Sequence, residues 1–327
     1  MERPLRIGVL GAGHLGRIHV QQLRELTEYE IIGVFDPRQE KAEKLKNEFG
    51  VPLVDSITEL IAGSDVIDVV TPTLAHHECA MQALDAGKHV FIEKPIANTL
   101  EEARQLVARA QATGRKVQVG HVERFNPAFL AASGALNAPM FIETHRLSTF
   151  DPRGTDVSVV LDLMIHDLDI ILHVVKASVS DVHASGVPVV SDTPDIANAR
   201  IAFSNGCVAN LTASRISLKK MRKSRFFQKD AYISVDMLKK ETEIMRMRTV
   251  ETPDPFAVTL DLGPGKGHRE ISFEKPEIPA NNAIREELRS FAQAIMGDRE
   301  PEVPARDGLA ALELAHRVLA AMEIRTI

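Results

Sequence analysis

Six residues, Gly11-Ala12-Gly13-His14-Leu15-Gly16, stand between an apolar run at 5–10 with strand character and a stretch of helical periodicity, and few folds accept such a turn there. The first glycine permits a tight turn, the second lets a pyrophosphate approach the backbone, and the third lets helix and strand pack closely. The helix start then faces the phosphates. About 20 residues further on, at the end of the second strand-like run, Asp36 is placed to accept hydrogen bonds from ribose hydroxyls and to repel a 2′-phosphate, which favours NAD over NADP. Arg38, two residues later, is the one nearby group that could meet a phosphate instead. The expected cofactor contacts in this segment are Gly11, Gly13, His14, Leu15, Gly16, Asp36 and Arg38.

The surrounding pattern agrees with that turn. Short β-branched runs at 5–10, 30–35, 52–54, 66–70, 89–92 and 116–119 alternate with helical stretches, which implies a parallel sheet of six strands covered on both faces. Ser56 with Glu59, and Thr99 with Glu102, have capping-box spacing, while Gly50, Gly87 and Gly114 stand where helices end. After Gly120 the rhythm changes. One long amphipathic stretch at 157–175 lies among strand-like runs such as 141–149 and 197–203, and Asn205-Gly206 marks a hairpin through positive φ at both turn positions. Two Ala/Leu/Glu-rich helices are expected at 283–296 and 309–324, joined by a Pro-containing link at 299–304. The fold class is α/β: an N-terminal doubly wound Rossmann domain at 1–122, and a C-terminal α/β domain on an open, largely antiparallel sheet at 123–327.

Composition narrows what such a chain does. Its 327 residues suffice for two cores, and 44% hydrophobic with 26% charged residues is far from the regime of disorder. A net charge of -6 gives no basic excess for nucleic acid or anionic lipid, and two distant cysteines, Cys79 and Cys207, form neither a disulfide framework nor a cysteine zinc site. No apolar run approaches membrane-spanning length and no leader pattern precedes the first strand, so a cytoplasmic protein is expected.

The chemistry-bearing residues cluster at the carboxyl ends of the expected strands, where open α/β sheets bind ligands. Thr71-Pro72-Thr73 with His76 closes the fourth strand and faces the nicotinamide half of the cofactor. The neighbouring His76-His77-Glu78-Cys79 cannot converge on one metal, because consecutive helical residues point in different directions, and no metal is expected. Glu93-Lys94-Pro95 ends the fifth strand, where Glu93 and Lys94 are expected to touch the cofactor and a lysine partly withdrawn from water can take part in proton transfer. Asp162 and His166, at i and i+4 on the long helix, share a face, so the carboxylate can orient the imidazole while its other nitrogen meets substrate.

Taken together, Gly11–Gly16, the run from Gly87 to Pro95 and Asp162 to His166 resemble the Gfo/Idh/MocA oxidoreductases over essentially the whole chain. That resemblance implies hydride transfer between a nicotinamide and a sugar or polyol carbon, with the catalytic lysine at Lys94 and the Asp and His at Asp162 and His166. It also implies self-association through the open sheet, as a homodimer or homotetramer. The run from Val119 to Pro127, Arg146-Leu147-Ser148, Asp151-Pro152-Arg153-Gly154 and the run from Ala213 to Ser217 are similar to the branch of the family that oxidises C3 of UDP-N-acetylglucosamine. In that branch a partner aminotransferase uses the 3-keto product to make a 3-amino sugar for lipid A or surface polysaccharide.

A nucleotide sugar carries two phosphate charges suited to guanidinium groups. Arg124 and Asn126 beside the domain junction, then Arg146, Arg153 and Arg215, are the expected substrate contacts, with Lys94, Asp162 and His166. The basic run Arg215, Lys219, Lys220, Arg222, Lys223 and Arg225 reads equally as a solvated loop or as the nucleotide end of the site. In the expected reaction the sugar lies between the domains, with its C3 hydrogen facing the nicotinamide. Competing readings keep the fold and take inositol, a free sugar or a UDP-uronic acid, run redox-neutral chemistry on tightly held NAD, or make the chain a non-catalytic nicotinamide sensor.

Overall fold

Strand β1 (Leu5–Leu10) sits at the middle of a parallel sheet with β2 (Tyr29–Phe35) on one side and β3 (Val66–Val69), β4 (His89–Glu93) and β5 (Val117–Gly120) on the other, in the order β2-β1-β3-β4-β5. This computed structural model describes residues 3–151, 157–252, 254, 256–263 and 267–324. All four residues of β3 and all four of β5 are buried, as expected of parallel strands covered on both faces. The order reverses between β1 and β3, and that switch point is where such sheets open a crevice at their carboxyl ends.

The helices of this unit are α1 (His14–Leu23), α2 (Gln39–Phe49), α3 (Ile57–Gly63), α4 (His76–Asp85) and α5 (Leu100–Thr113). Ser56 and Thr99 accept the amides of Glu59 and Glu102 at their helix starts, and Thr99 with Glu102 forms the full reciprocal box. The expected strand at 52–54 shrinks to one bridge between Val34 and Leu53. Pro52 has no N–H to donate, so only its carbonyl and the Val54 amide pair with Val34.

The chain falls into two compact units, Met1–Phe125 with Asn281–Glu313, and Asn126–Ala280 with Leu314–Ile327. The sequence pattern suggested one division, at 122/123; the chain instead crosses back. The cause is α8 (Ala283–Met296), whose Leu288, Phe291 and Ala292 belong to the same buried core as Ile7, Val9, Val66 and Phe91. Burying Phe291 alone is worth about 1.5–3 kcal/mol. Tyr29 fastens the helix further, its hydroxyl donating to the Leu288 carbonyl at 2.9 Å.

The second unit is built on a sheet ordered β13-β14-β12-β11-β10-β6-β9-β8-β7-β15. These are β6 (Phe141–Leu147), β7 (Val179–Val187), β8 (Ile196–Phe203), β9 (Val208–Ser214), β10 (Met221–Phe227), β11 (Ala231–Asp236), β12 (Glu241–Val250), β13 (Val258–Asp261), β14 (His268–Glu274) and β15 (Met322–Ile324). Only β6 with β9 and β7 with β15 pair in parallel; the other ladders are antiparallel. Along β6 burial alternates, with Ile142, Thr144 and Arg146 inside and Phe141, Glu143, His145 and Leu147 half-exposed. The inner face carries α6 (Pro127–Ser133) and α7 (Ile165–Val175). On the other face Phe141, Phe227 and Tyr232 form a ladder of rings with centroids 5.8 and 5.1 Å apart.

Three local expectations change. The β8–β9 hairpin forms, but only Gly206 takes a positive φ, of 87°; Asn205 stays in the ordinary region and its side chain accepts the Cys207 amide. The expected helix at 309–324 instead starts four residues earlier and becomes α9 (Ala305–Ala320), followed by β15. Gly308, which reads as a helix breaker, is inside it because an added Cβ would stand 2.7 Å from Val119. The long stretch at 157–175 is not one regular helix, since Val160–Met164 is a π-turn ahead of α7.

Candidate active site

In the first unit the glycine turn shows why each glycine is present. Gly11 has φ of +110° and an added Cβ would lie 2.6 Å from the Val70 carbonyl oxygen; at Gly16 it would lie 2.0 Å from the Gly11 carbonyl oxygen. Those two serve the protein's own packing. Gly13 does not: its φ is -74° and a Cβ there would meet nothing within 4 Å. The room above Gly13 opens at the start of α1, where no side chain caps the amides, and His14 and Leu15 are exposed beside it. A dinucleotide pyrophosphate fits those donors and that clearance.

Asp36 is buried at the carboxyl end of β2, and its two oxygens shape the turns around it. One accepts the Ala12 amide at 2.9 Å, and the other accepts the Arg38 amide at 2.9 Å. The Arg38 guanidinium turns back toward the same carboxylate, 3.5 Å away. Beyond β3 the Thr71 hydroxyl is buried without a hydrogen-bond partner. His76 is buried with one ring nitrogen 2.9 Å from the Thr71 carbonyl and the other 2.9 Å from the Pro95 carbonyl, so it ties the Thr71-Pro72 turn to the Lys94 turn. Burial pushes the His76 imidazole below its ordinary range, against the pull of those two carbonyls.

The Lys94-Pro95 peptide is cis and Lys94 is half-buried. Beneath it lies a charged cluster that the apolar patterning had hidden. Glu93 accepts the Lys94 amide at 3.0 Å, and its other oxygen is 3.1 Å from His19 Nε2, whose Nδ1 is 3.0 Å from Asp68. Burial disfavours a charged His19, but the two carboxylates outweigh it and hold the imidazole well above its usual range. Its stabilising contribution is therefore complete below the ordinary imidazole value of about 6.5 and is lost as pH rises through the raised folded-state value. The only sequence signal was a carboxylate inside an apolar strand, Asp68, and polar residues on the buried faces of α1 and α8.

In the second unit Asp162 lies in the π-turn and His166 in the first turn of α7, both half-buried. Such single π-turns recur where a helix must re-aim side chains. Arg146 is buried and pairs in bidentate fashion with Asp167, at 3.0 and 2.9 Å. Arg215 is buried too, its guanidinium donating to the Val157 carbonyl at 2.6 Å and lying 3.7 Å from Asp195. Asp195 is held down at about 2: burial opposes this, but the amides of Val189, Val190 and Ser191 outweigh it. Asn126 caps α6 through the Ala128 amide and donates to the Met237 carbonyl. In the first unit Arg124 is buried, 3.2 Å from Asp307. The expected phosphate-gripping side chains thus have structural partners inside their own units. Arg153 lies outside the described residues. The basic run alternates along β10, with Ser224 and Phe226 buried and Arg225 paired with Glu143 at 2.8 Å, so it is not one cluster.

Residues 5–121 match the oxidoreductase family with an NAD-binding Rossmann fold, and residues 128–234 match the Gfo/Idh/MocA C-terminal domain. The chain belongs to the Gfo/Idh/MocA oxidoreductases. Within that family it is 36% identical over 321 residues to the UDP-N-acetylglucosamine 3-dehydrogenase of Acidithiobacillus ferrooxidans, covering 98% of this chain and 97% of that protein. A solved structure of the Acidithiobacillus enzyme superposes with a TM-score of 0.87 at 34% identity, covering 98% of each chain. The scyllo-inositol 2-dehydrogenase (NAD(+)) of Bacillus subtilis is 29% identical over 236 residues, 66% of this chain and 69% of its own. As a Gfo/Idh/MocA oxidoreductase, the chain has its glycine turn in the NAD-binding region. Gly13→Ala is expected to weaken NAD binding about tenfold or more while leaving the melting temperature within about 2 °C, whereas Gly16→Ala lowers the melting temperature sharply. Calorimetric titration with NAD and thermal unfolding separate the two effects.

Proposed function

We propose that this oxidoreductase oxidises the C3 hydroxyl of UDP-N-acetylglucosamine to the 3-keto sugar with NAD as acceptor. The observation that carries the reading is the match to a UDP-N-acetylglucosamine 3-dehydrogenase across 98% of the chain. When bound, NAD supplies the hydride acceptor. The glycine turn and the α1 amides hold its pyrophosphate, and Asp36 receives its ribose hydroxyls. The buried Asp36 carboxylate supports NAD over NADP, with the Arg38 guanidinium 3.5 Å from it. His166, oriented by Asp162 and assisted by Lys94, removes the single hydroxyl proton as the C3 hydride would pass to bound NAD, and the ring that has taken up the proton stands beside the developing oxyanion.

A ketone beside an acetamido group calls for an aminotransferase as the next step, giving a 3-amino sugar for lipid A or surface polysaccharide. No helix of the described residues is long and apolar enough to cross a membrane, in keeping with cytoplasmic chemistry on a soluble nucleotide sugar. The half-exposed outer face of the ten-stranded sheet, with its aromatic ladder, supports a homodimer or homotetramer.

The decisive assay mixes the purified protein with NAD and UDP-N-acetylglucosamine, traps the carbonyl with hydroxylamine and locates the oxidised carbon by mass spectrometry and NMR. Parallel reactions use myo-inositol, glucose and UDP-glucuronic acid. A C3 oxime is expected, with NADH formed in equal amount. Turnover of inositol or a free sugar in preference to the nucleotide sugar would refute the substrate assignment.

A further inference from the structure

The cluster under Lys94 is drawn from four strands and helices of the first unit. His19 comes from the buried face of α1, Asp68 from the middle of β3, Glu93 from the end of β4 and Glu287 from α8. His19 and Asp68 are fully buried, and Phe91 stacks edge-on against the imidazole at 5.5 Å. Both ring nitrogens face carboxylate oxygens, at 3.0 and 3.1 Å. A neutral imidazole would turn a lone pair toward one of them unless that carboxyl carried the proton, so two facing carboxylates favour a ring that donates from both sides.

Glu93 is the end of this chain that meets the reaction. Its second oxygen accepts the backbone amide of Lys94, so the carboxylate grips the residue that begins the turn. On its outer side stands Gly120, opposite Glu93 in the β4–β5 register, and an added Cβ would lie 3.0–3.2 Å from the carboxylate atoms. Glu93 is therefore fixed by an imidazole on one side, an amide on another and a glycine's absent side chain on a third. Burial raises Glu93 toward neutrality, and the His19 and Lys94 hydrogen bonds reverse that and hold it ionised.

The other titratable groups facing the cluster are Lys94, Glu287, Glu123 and Tyr29. Glu287 is fully buried with both carboxyl oxygens lacking hydrogen-bond partners, and its acceptor atom lies within 4.8 Å of those of His19 and Glu93. Burial, reinforced by Glu93, pushes the Glu287 carboxyl well above the carboxylate range. Burial likewise raises the Tyr29 phenol. The three donor groups His19, Glu93 and Glu287 also have the composition of a divalent-metal site, with Asp68 as the outer carboxylate that fixes the histidine. The direct His19–Glu93 hydrogen bond engages two of those three donors with each other, and the Glu287 carboxyl stands beside them without a hydrogen bond.

We propose that the Asp68–His19–Glu93 relay is a positioning device for Lys94, in which a doubly protonated His19 locks Glu93 and Glu93 sets the backbone of the turn that presents the lysine. The three are positioning residues, and the role rests on the assignment of Lys94 to proton transfer. Asp68 acts at one remove, as the counterion that keeps the ring charged. The relay explains why polar groups occupy buried positions of α1, β3 and β4, where apolar residues would pack more cheaply.

The test has a kinetic arm and an arm independent of turnover. In the first, Glu93→Gln, His19→Gln and the double variant are compared with Lys94→Ala for kcat, KM and pH–rate profile with UDP-N-acetylglucosamine. Glu93→Gln is expected to lower kcat about tenfold to a hundredfold, leave KM for NAD within about twofold and move the pH–rate profile, with the double variant no worse than the poorer single one. Gly120→Ala, which pushes on Glu93 from outside without touching its charge, lowers kcat in the same sense. In the second arm, ring ¹⁵N shifts of labelled histidine in the wild-type protein show one imidazole still doubly protonated above the ordinary imidazole value of about 6.5, absent in His19→Gln.

If Lys94→Ala turns over normally, the assignment of Lys94 fails. If Lys94→Ala is inactive while Glu93→Gln keeps the wild-type kcat and pH profile, the relay fails and that assignment stands. A His19 ring that titrates near 6.5 overturns the relay by itself, as does one equivalent of tightly bound divalent metal found by elemental analysis and lost in Glu287→Gln.

Discussion

Replacing Lys94 or His166 with alanine lowers kcat by about 10²–10⁴, the usual share of a positioned acid or base, and leaves NAD affinity within roughly twofold. The separation is expected because the features proposed to hold NAD are elsewhere: the glycine turn between β1 and α1, with Asp36 bonded to its Ala12 amide. Lys94 follows the end of β4, and His166 belongs to the second unit altogether. Each variant is read by stopped-flow formation of NADH and by titration with NAD. A variant that loses cofactor binding along with turnover would show that its side chain holds the dinucleotide and not the proton. The pH–rate profiles of the two single variants then distinguish the immediate base, since the limb that disappears belongs to the deleted group.

The second large effect falls on stability. Arg146→Ala removes the guanidinium that both oxygens of the buried Asp167 carboxylate receive, at 3.0 and 2.9 Å. Removing one partner of such a pair costs about 3–5 kcal/mol, which for a unit of this size lowers the melting temperature by roughly 6–20 °C. Differential scanning calorimetry reads it directly. Replacing both partners with apolar residues, Arg146→Met with Asp167→Leu, is expected to recover most of the loss, because no buried charge is left unpaired. Asp167 adjoins His166 on α7, so the single variant also loses turnover. A fall in melting temperature of under about 2 °C together with a raised KM for the nucleotide sugar would move Arg146 from the frame of α7 to the substrate.

Sequence patterning was most informative where a residue's reason is local. The glycine turn, the capping pairs at Ser56 and Thr99, and α8, found at Ala283–Met296, all express geometry set within a few residues. Reading failed where a distant neighbour decides. Gly308 stays helical because Val119 needs the space, Leu53 makes one bridge and not a strand, and the π-turn at Val160–Met164 leaves no mark in the periodicity. The arginines show the same limit. Arg146 and Arg215 read as anion grips from charge alone, and the carboxylates they are buried on, Asp167 and Asp195, stand 20 or more residues away and leave no local mark. His19, Asp68 and Glu287 were overlooked because each is a single polar residue in an apolar frame, and only the tertiary fold makes them neighbours.

The return of α8 to the first unit sets a schedule for biosynthesis. When a ribosome has released the first 125 residues, the five parallel strands are all present, but Leu288, Phe291 and Ala292 of their core are not. At the usual 5–20 residues per second, the intervening segment delays them by roughly 10–30 s. Through that interval the nascent nucleotide-binding half exposes an unfilled apolar face, a natural client for ribosome-associated chaperones, and a chain terminated before residue 281 never closes it.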